Sequence, residues 1–461
     1  MPEVHPLIIL AIGIAIVLGM IIALRINAFL ALIAAAVVVS MLSPGALSEK
    51  VDRVAMAFGM TAYKIGIVIA MAAVIGRCLI DSGAADRVVR MFLGLLGEKR
   101  CEVSLMASGF VLSIPVFFDT VFYLLLPLAR SMHRRTKKSY LLLILAMGAA
   151  GSLTHSLVPP TPGPLIIADT LGIDLGMMIM MGTVISVPIA VVMYFFVIFL
   201  SRRIEIPMRP LEGAGPEPEP LADEQLPALL PSIAPIILPV VLISMHTIIS
   251  TLASGAGADS ALKRAEEITS VVGNANLAMM LSAAIAMIVL WRQRRMSGKK
   301  MSRIIEHSLM SGGMIILITS AGGAFGAMLK EAGVGDAIQN MFGGGQQAAG
   351  LRLLLLAFFV ASLLKVAQGS TTVSMITTSA MFAGMISSGE SLGLHPVYLA
   401  AAIGCGAQCG NWMNDSGFWV FAKMGGLTEV EALKTWTVTV STMAVVGLVI
   451  TIIFASVMPL V

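Results

Sequence analysis

Charge is what this sequence has least of. Only 12% of its 461 residues are Asp, Glu, Lys or Arg, against roughly 25% in a soluble domain. So little charge cannot clothe a water-exposed surface. With 57% hydrophobic residues and a mean hydropathy of +0.94, the chain reads as a polytopic membrane protein. Cysteine is scarce as well: Cys78, Cys101, Cys405 and Cys409 lie in or beside apolar runs, which excludes a disulfide framework. Cys405 and Cys409 are one helical turn apart, but no His or acidic cluster joins them, so they read as packing residues and no metal is expected. No basic residue precedes the first apolar run, Leu7–Leu24, so the N-terminus reads as an uncleaved first span and not a signal peptide. The net charge of +4 implies no nucleic acid, because cytoplasmic loops of membrane proteins collect Lys and Arg.

What the sequence does contain is a series of apolar runs. Leu7–Leu24, Phe29–Leu42, Met178–Leu200 and Val440–Val457 each approach the roughly 20 residues that cross a bilayer. Basic clusters at Arg130–Lys138, Arg202-Arg203 and Arg292–Arg303 place those loops in the cytoplasm. Arg87, Arg90, Lys99 and Arg100 form a fourth group. The segment 103–129 therefore has basic residues at both ends, enters and leaves on one side, and predicts a re-entrant hairpin turning at Pro115.

An internal likeness extends this. Gly76-Arg-Cys-Leu-Ile-Asp-Ser-Gly83-Ala-Ala-Asp86 recurs as Gly326-Ala-Met-Leu-Lys-Glu-Ala-Gly333-Val-Gly-Asp336, and Met91-Phe92 as Met341-Phe342, with a constant offset of 250. Carried on without a gap, the offset lays Ile114–Thr120 over Leu364–Ser370 and His155–Pro164 over Cys405–Asn414. The counterpart of the basic loop 130–138 is Ala380–Ser388, which carries no charge. Equivalent loops then face opposite sides, the pattern of an inverted-topology repeat. The expected fold is an all-α polytopic membrane protein of about ten transmembrane helices, two re-entrant hairpins and two broken helices. Residues 1–201 form the first repeat, with the N-terminus outside, a hairpin at 103–129 and a helix break at 158–164. Residues 202–227 form a Pro-rich cytoplasmic linker. Residues 228–461 form the second repeat, with a polar external loop near Ser250–Thr269, a hairpin at 351–380 and a break at 409–415.

Four stretches join helix-breaking residues to polar side chains at membrane depth, where irregular backbone is tolerated only if it is buried in protein or lines a cavity. They are Pro115–Thr120, His155–Pro164, Lys365–Thr372 and Gln408–Gly417. Half-helix N-termini there carry partial positive charge and free N–H groups, so a cavity between them would hold an anion without many arginines. The candidate substrate ligands are Thr120, His155, Thr161, Lys365, Gly369, Ser370, Thr371, Asn411 and Asn414. The candidate proton carriers are Asp119 and Asp415, because an ionisable residue at this depth is a functional-site hypothesis by default. The competing reading makes Lys365 and one aspartate a structural ion pair, and individual Ser and Thr hydroxyls bonds to their own helix. Lys64, Arg77 and Asp81 read as interfacial groups near span ends.

Ile114-Pro-Val-Phe-Phe-Asp119 followed by Leu124-Leu-Leu-Pro127-Leu, then His155-Ser-Leu-Val-Pro-Pro-Thr-Pro-Gly-Pro164, and Asn414-Asp415-Ser-Gly-Phe-Trp419 together resemble the gluconate permease family. Gly369-Ser370-Thr-Thr-Val373 resembles that family's Gly-Ser-Ala-Thr-Val segment. The likeness covers residues 5 to 458 or so. It implies a secondary transporter of gluconate or related sugar acids, or of D-serine in some members, usually with protons. Membership of the ion transporter superfamily further implies a homodimer in a bacterial inner membrane, with an elevator-like transport domain holding both hairpins. Lys365 stands where an arginine is expected in the family, and Thr161 where histidine is common in gluconate carriers.

The expectation is therefore a proton-coupled symporter of a small hydroxycarboxylate, with no cofactor beyond the ion gradient. The alternatives are a carrier of D-serine or another hydroxylated amino acid, a sodium-coupled carboxylate carrier or cation antiporter, and a passive channel. An intramembrane aspartyl hydrolase using Asp119 and Asp415 fits poorly, because the repeat equivalent of Asp119 is Gly369. The expected partners are a small anionic or zwitterionic substrate and the lipid bilayer.

Overall fold

Apolar runs without strand-like alternation favour helix, and in the computed structural model every regular element among the described residues is helical. The structure describes residues 5–209, 223–253, 260–334, 337, 346–387, 393–413 and 415–460. Chain order gives α1 (Pro6–Leu18), α2 (Ala28–Leu42), α3 (Asp52–Ser82), α4 (Ala84–Leu96), α5 (Cys101–Leu112), α6 (Phe118–Thr136), α7 (Tyr140–Leu157), α8 (Pro162–Thr170) and α9 (Leu175–Arg203). After the linker come α10 (Leu229–Ala253), α11 (Ala261–Val272), α12 (Ala275–Arg294), α13 (Gly298–Glu331), α14 (Gln346–Gln368), α15 (Thr371–Ser387), α16 (Pro396–Gly406), α17 (Ser416–Trp419), α18 (Glu429–Ala432) and α19 (Val438–Val457). Among the described residues, eight helical stretches are long and apolar enough to cross a membrane, including Tyr140–Thr170, which contains a break.

Helices α3 and α13 are the longest, at 31 and 34 residues, and lie against each other. Gly312 permits this approach, since a Cβ there would come within 3.3 Å of Ala73 Cβ. Both end at a left-handed glycine, Gly83 (φ 82°) and Gly333 (φ 70°), a conformation that glycine adopts without steric cost. Gly83 and Gly333 are thus 250 residues apart in sequence and alike in backbone conformation. Helix α15 begins 253 residues after α6 (371 and 118), and α17 begins 254 after α8 (416 and 162). These helix starts are therefore three to four residues further apart than the two glycines.

Several expected boundaries move for local reasons. The first break covers only 158–161, because Pro162 and Pro164 open α8, where a missing N–H costs nothing. The second break is longer than expected: α16 ends at Gly406 and α17 starts at Ser416. The expected external loop near Ser250–Thr269 contains α11, whose N-cap Ser260 accepts a bond from the Lys263 amide. Lys64 lies within α3, not near its end, and pairs with Asp169 at 2.9 Å. Residues 210–222 of the linker, Met341-Phe342, the glycines 343–345 and most of the loop after Ser387 lie outside the described residues.

Candidate functional site

Four interruptions of helix meet around one cavity, and each is held open by its own local chemistry. In the first, α5 ends at Leu112 and α6 starts at Phe118, with no side chain capping its first-turn amides. The α5 limb is pressed onto α7 because Gly109 leaves room for the Met147 carbonyl, 2.5 Å from where a Cβ would sit. In the second, the Thr161 hydroxyl donates to the carbonyls of His155 (2.9 Å) and Val158 (2.8 Å), acceptors that the proline run leaves without helical donors. In the third, Gly369 takes a positive φ of 80° between α14 and α15, and the Ser370 hydroxyl accepts from the Val373 amide at 3.3 Å. In the fourth, Asp415 caps α17 by accepting from the amides of Gly417 (2.5 Å) and Phe418 (3.3 Å).

Lys365 ties the last two together. Its ammonium is wholly buried, forms an ion pair with the Asp415 carboxylate, and donates to the Gly369 carbonyl at 2.8 Å. A buried charge is stable only when paired and hydrogen-bonded, and here both conditions are met. The α14 end, the Gly369 turn and the α17 cap form one unit.

The cavity between the four breaks has a volume of about 510 Å³. Of the expected site residues, Asp119, His155, Gly369, Ser370, Thr371, Asn411 and Asp415 line it. The others do not. Thr120 lines a separate cavity of about 200 Å³ beside Arg77 and His307. Thr161 is buried with its hydroxyl engaged by backbone. Lys365 lies behind the wall, and Asn414 falls outside the described residues. Among the described residues that line the cavity none is Lys or Arg.

Residues not among the expected ligands also line it, Phe117, Ser152, Ser156, Thr372, Ser416 and Trp436 among them. Trp436 is stacked between Phe421 (ring centroids 4.5 Å) and Phe118 (5.4 Å), so its faces are covered and only its edge is left for the cavity. Its indole nitrogen is buried without a hydrogen-bond partner, as are His155 Nδ1, Ser156 Oγ and Asn411 Oδ1. Buried polar atoms are nearly always satisfied. Four unsatisfied ones around a single cavity mark a space shaped for a polar, hydrogen-bonding occupant. Asp119, half-buried on the same wall, has no hydrogen bond or ion pair to another described residue. Among the described residues no group of three or more His, Cys, Asp or Glu could hold a metal ion.

Comparison with known proteins bears on this cavity. The model of the GntP family permeases matches residues 5–457. The chain is 28% identical over 456 residues to the gluconate permease of Bacillus licheniformis, covering 98% of this chain and 99% of that one. It is 30% identical over 446 residues to the Gnt-II system L-idonate transporter of Escherichia coli K12, covering 96% and 97%. Among solved structures, the Alcanivorax borkumensis YdaH transporter aligns with a TM-score of 0.62 at 14% identity, over 99% of this chain and all of that one. The Neisseria gonorrhoeae MtrF structure aligns at 0.61 with 15% identity, over 94% of each. At that identity the likeness is one of fold.

Proposed function

We propose, for a chain that belongs to the GntP family of permeases and is thus a multi-pass membrane transporter and not an enzyme, that it carries a small hydroxycarboxylate of the gluconate or idonate type together with a proton. The observation that carries the reading is the cavity itself: the N-terminus of α6, capped by no side chain, borders it, four residues of its wall carry buried polar atoms without partners, and none of its described lining residues is Lys or Arg. Helix N-termini attract a carboxylate, and hydroxyls of a sugar acid would satisfy Trp436, His155, Ser156 and Asn411. Asp119 then decides when an anion enters. While it is ionised, two negative charges would share one cavity with no cation beside them. Protonation removes that repulsion, so substrate and proton bind together, which is the thermodynamic requirement for symport.

The sign of the pH dependence follows. Substrate affinity is greatest below the titration of Asp119 in the empty carrier and falls as pH rises through it. A zwitterion such as D-serine gives the opposite sign, because its ammonium would pair with the ionised Asp119. The test is uptake of labelled gluconate, L-idonate and D-serine into proteoliposomes, with and without an imposed proton gradient and with and without sodium. Asp119→Asn should abolish gradient-driven accumulation while exchange of substrate across the membrane persists. Gradient-driven accumulation undiminished in that variant, or sodium dependence without proton dependence, would overturn the assignment.

The family resemblance supplies the remainder of the reading: five crossings per half in inverted topology, a homodimer in a bacterial inner membrane, and displacement of the hairpin-bearing part against the rest. Asp415, already paired with Lys365 and capping α17, has a positioning role here, and Asp119 alone handles the coupling proton.

A further inference from the structure

A hydroxyl on a helix within the membrane ordinarily returns its proton to a carbonyl of the preceding turn. Thr154 on α7 does so, donating to the Ala150 carbonyl at 3.2 Å, and Ser186 on α9 donates to the Gly182 carbonyl at 2.6 Å. Ser152 on α7 is different. Its hydroxyl donates to Gln408 Oε1 at 3.0 Å, across 256 positions of sequence, to a residue in the turn that follows α16. A serine hydroxyl has one proton and two lone pairs. With the proton committed to Gln408, Ser152 can only accept from whatever stands on its other side. That side is the substrate cavity, whose wall includes Ser152. Gln408 itself is buried, at 3% exposure, and is not among the described lining residues, so it acts on the cavity only through Ser152. Asn411 Oδ1, on the same wall, is a second acceptor without a donor. A wall of acceptors needs an occupant that brings protons. A substrate hydroxyl brings one, whereas a ketone in its place sets its own lone pairs against those of Ser152. Sites built to hydrogen-bond a hydroxyl reject analogues without one, because the buried polar groups are then left unpaired.

We propose, on the footing that the cavity holds a sugar acid, that Gln408 is a positioning residue that makes Ser152 an obligate acceptor. The pair then gives the carrier its preference for a hydroxyl over a keto group on the substrate's carbon chain. Ser156, one turn further along α7, has no such role: its hydroxyl is buried without a partner and can turn to suit either group.

The test is uptake of labelled gluconate by the whole chain in proteoliposomes, with gluconate, 2-ketogluconate and 5-ketogluconate as unlabelled competitors. Wild type should bind at least one keto acid about tenfold more weakly than gluconate, the worth of one hydrogen bond. In Gln408→Leu the Ser152 proton is released and can meet a ketone. Affinity for that keto acid should rise about tenfold, while the KM and maximal rate for gluconate stay within about threefold of wild type. A gain of affinity for one ligand is not something a merely damaged site would give. Ser152→Ala removes the acceptor, so gluconate should weaken about tenfold, toward the keto acid, and adding Gln408→Leu should leave the ratio of the two unchanged. If Gln408→Leu does not fold, Ser152→Ala decides: a wild-type ratio in that variant overturns the proposal. So would a wild-type carrier that accepts both keto acids as well as gluconate, an unmoved ratio in folded Gln408→Leu, or a ratio that Gln408→Leu still shifts when Ser152 is absent. A wild type that takes up no gluconate removes the sugar-acid reading and this assignment with it; gluconate uptake with an unmoved ratio removes the assignment alone.

Discussion

Replacing Lys365 by Met removes a wholly buried ammonium and leaves the Asp415 carboxylate, 7% exposed, without its counter-ion. Breaking a buried pair from one side costs about 3–5 kcal/mol, because the remaining charge keeps its desolvation penalty. Asp415 retains the amides of Gly417 and Phe418, so the loss should fall toward the lower end of that range. Asp415→Asn keeps the capping oxygen but strands Lys365 with only the Gly369 carbonyl, and should cost about as much. In Lys365→Met/Asp415→Asn both charges are gone and the cap survives. What is lost is chiefly the donor to Gly369, about 1 kcal/mol. The double variant should therefore be more stable than either single one. Unfolding can be followed with a thiol-reactive dye, since Cys78, Cys101 and Cys405 are buried in the folded protein. If Lys365 is a clamp, the double variant also binds substrate within a few-fold of wild type. Losses that add across the cycle would refute the clamp. So would a stable double variant with no substrate binding, which would return Lys365 to the role of substrate ligand expected from sequence.

Two further outcomes follow from the same geometry. Trp436→Phe preserves an aromatic ring between Phe118 and Phe421 but deletes the indole N–H, so the KM for uptake should rise up to about tenfold with little change in melting temperature; an unchanged KM would remove Trp436 from the site. A Cβ on Gly322 would overlap Ile376 Cγ2, and one on Gly326 would come within 2.8 Å of Ala380 Cβ, so Gly322→Ala and Gly326→Ala should each lower stability by about 1–3 kcal/mol through overpacking of α13 on α15. Melting temperatures equal to wild type would show that this contact yields without cost.

The sequence by itself determined the solvent and the punctuation. Low charge and long apolar runs dictate a membrane protein, because desolvating charge is expensive wherever it occurs. Pro115, the Pro159–Pro164 run and the Gly369-Ser370 pair mark where helices cannot continue, a local matter of missing donors and allowed backbone angles. The glycines Gly83 and Gly333, which follow α3 and α13 with positive φ, do so for the same local reason. Which side chains face the cavity was decided by tertiary structure. Thr120 is one residue from Asp119 and still lines a different cavity, since neighbours on a helix point about 100° apart and only packing sets the helix rotation. The sequence left Lys365 open between anion ligand and ion-pair partner of an aspartate, and the fold put Asp415, fifty positions away, against it. Trp436 gave no signal at all: an aromatic in an apolar run becomes a donor to a cavity only when Phe118 and Phe421, from distant segments, cover its two faces. Spacing shows the same division: the glycines at positions 83 and 333 are local and were legible, whereas the distances between helix starts around the breaks were set by the fold.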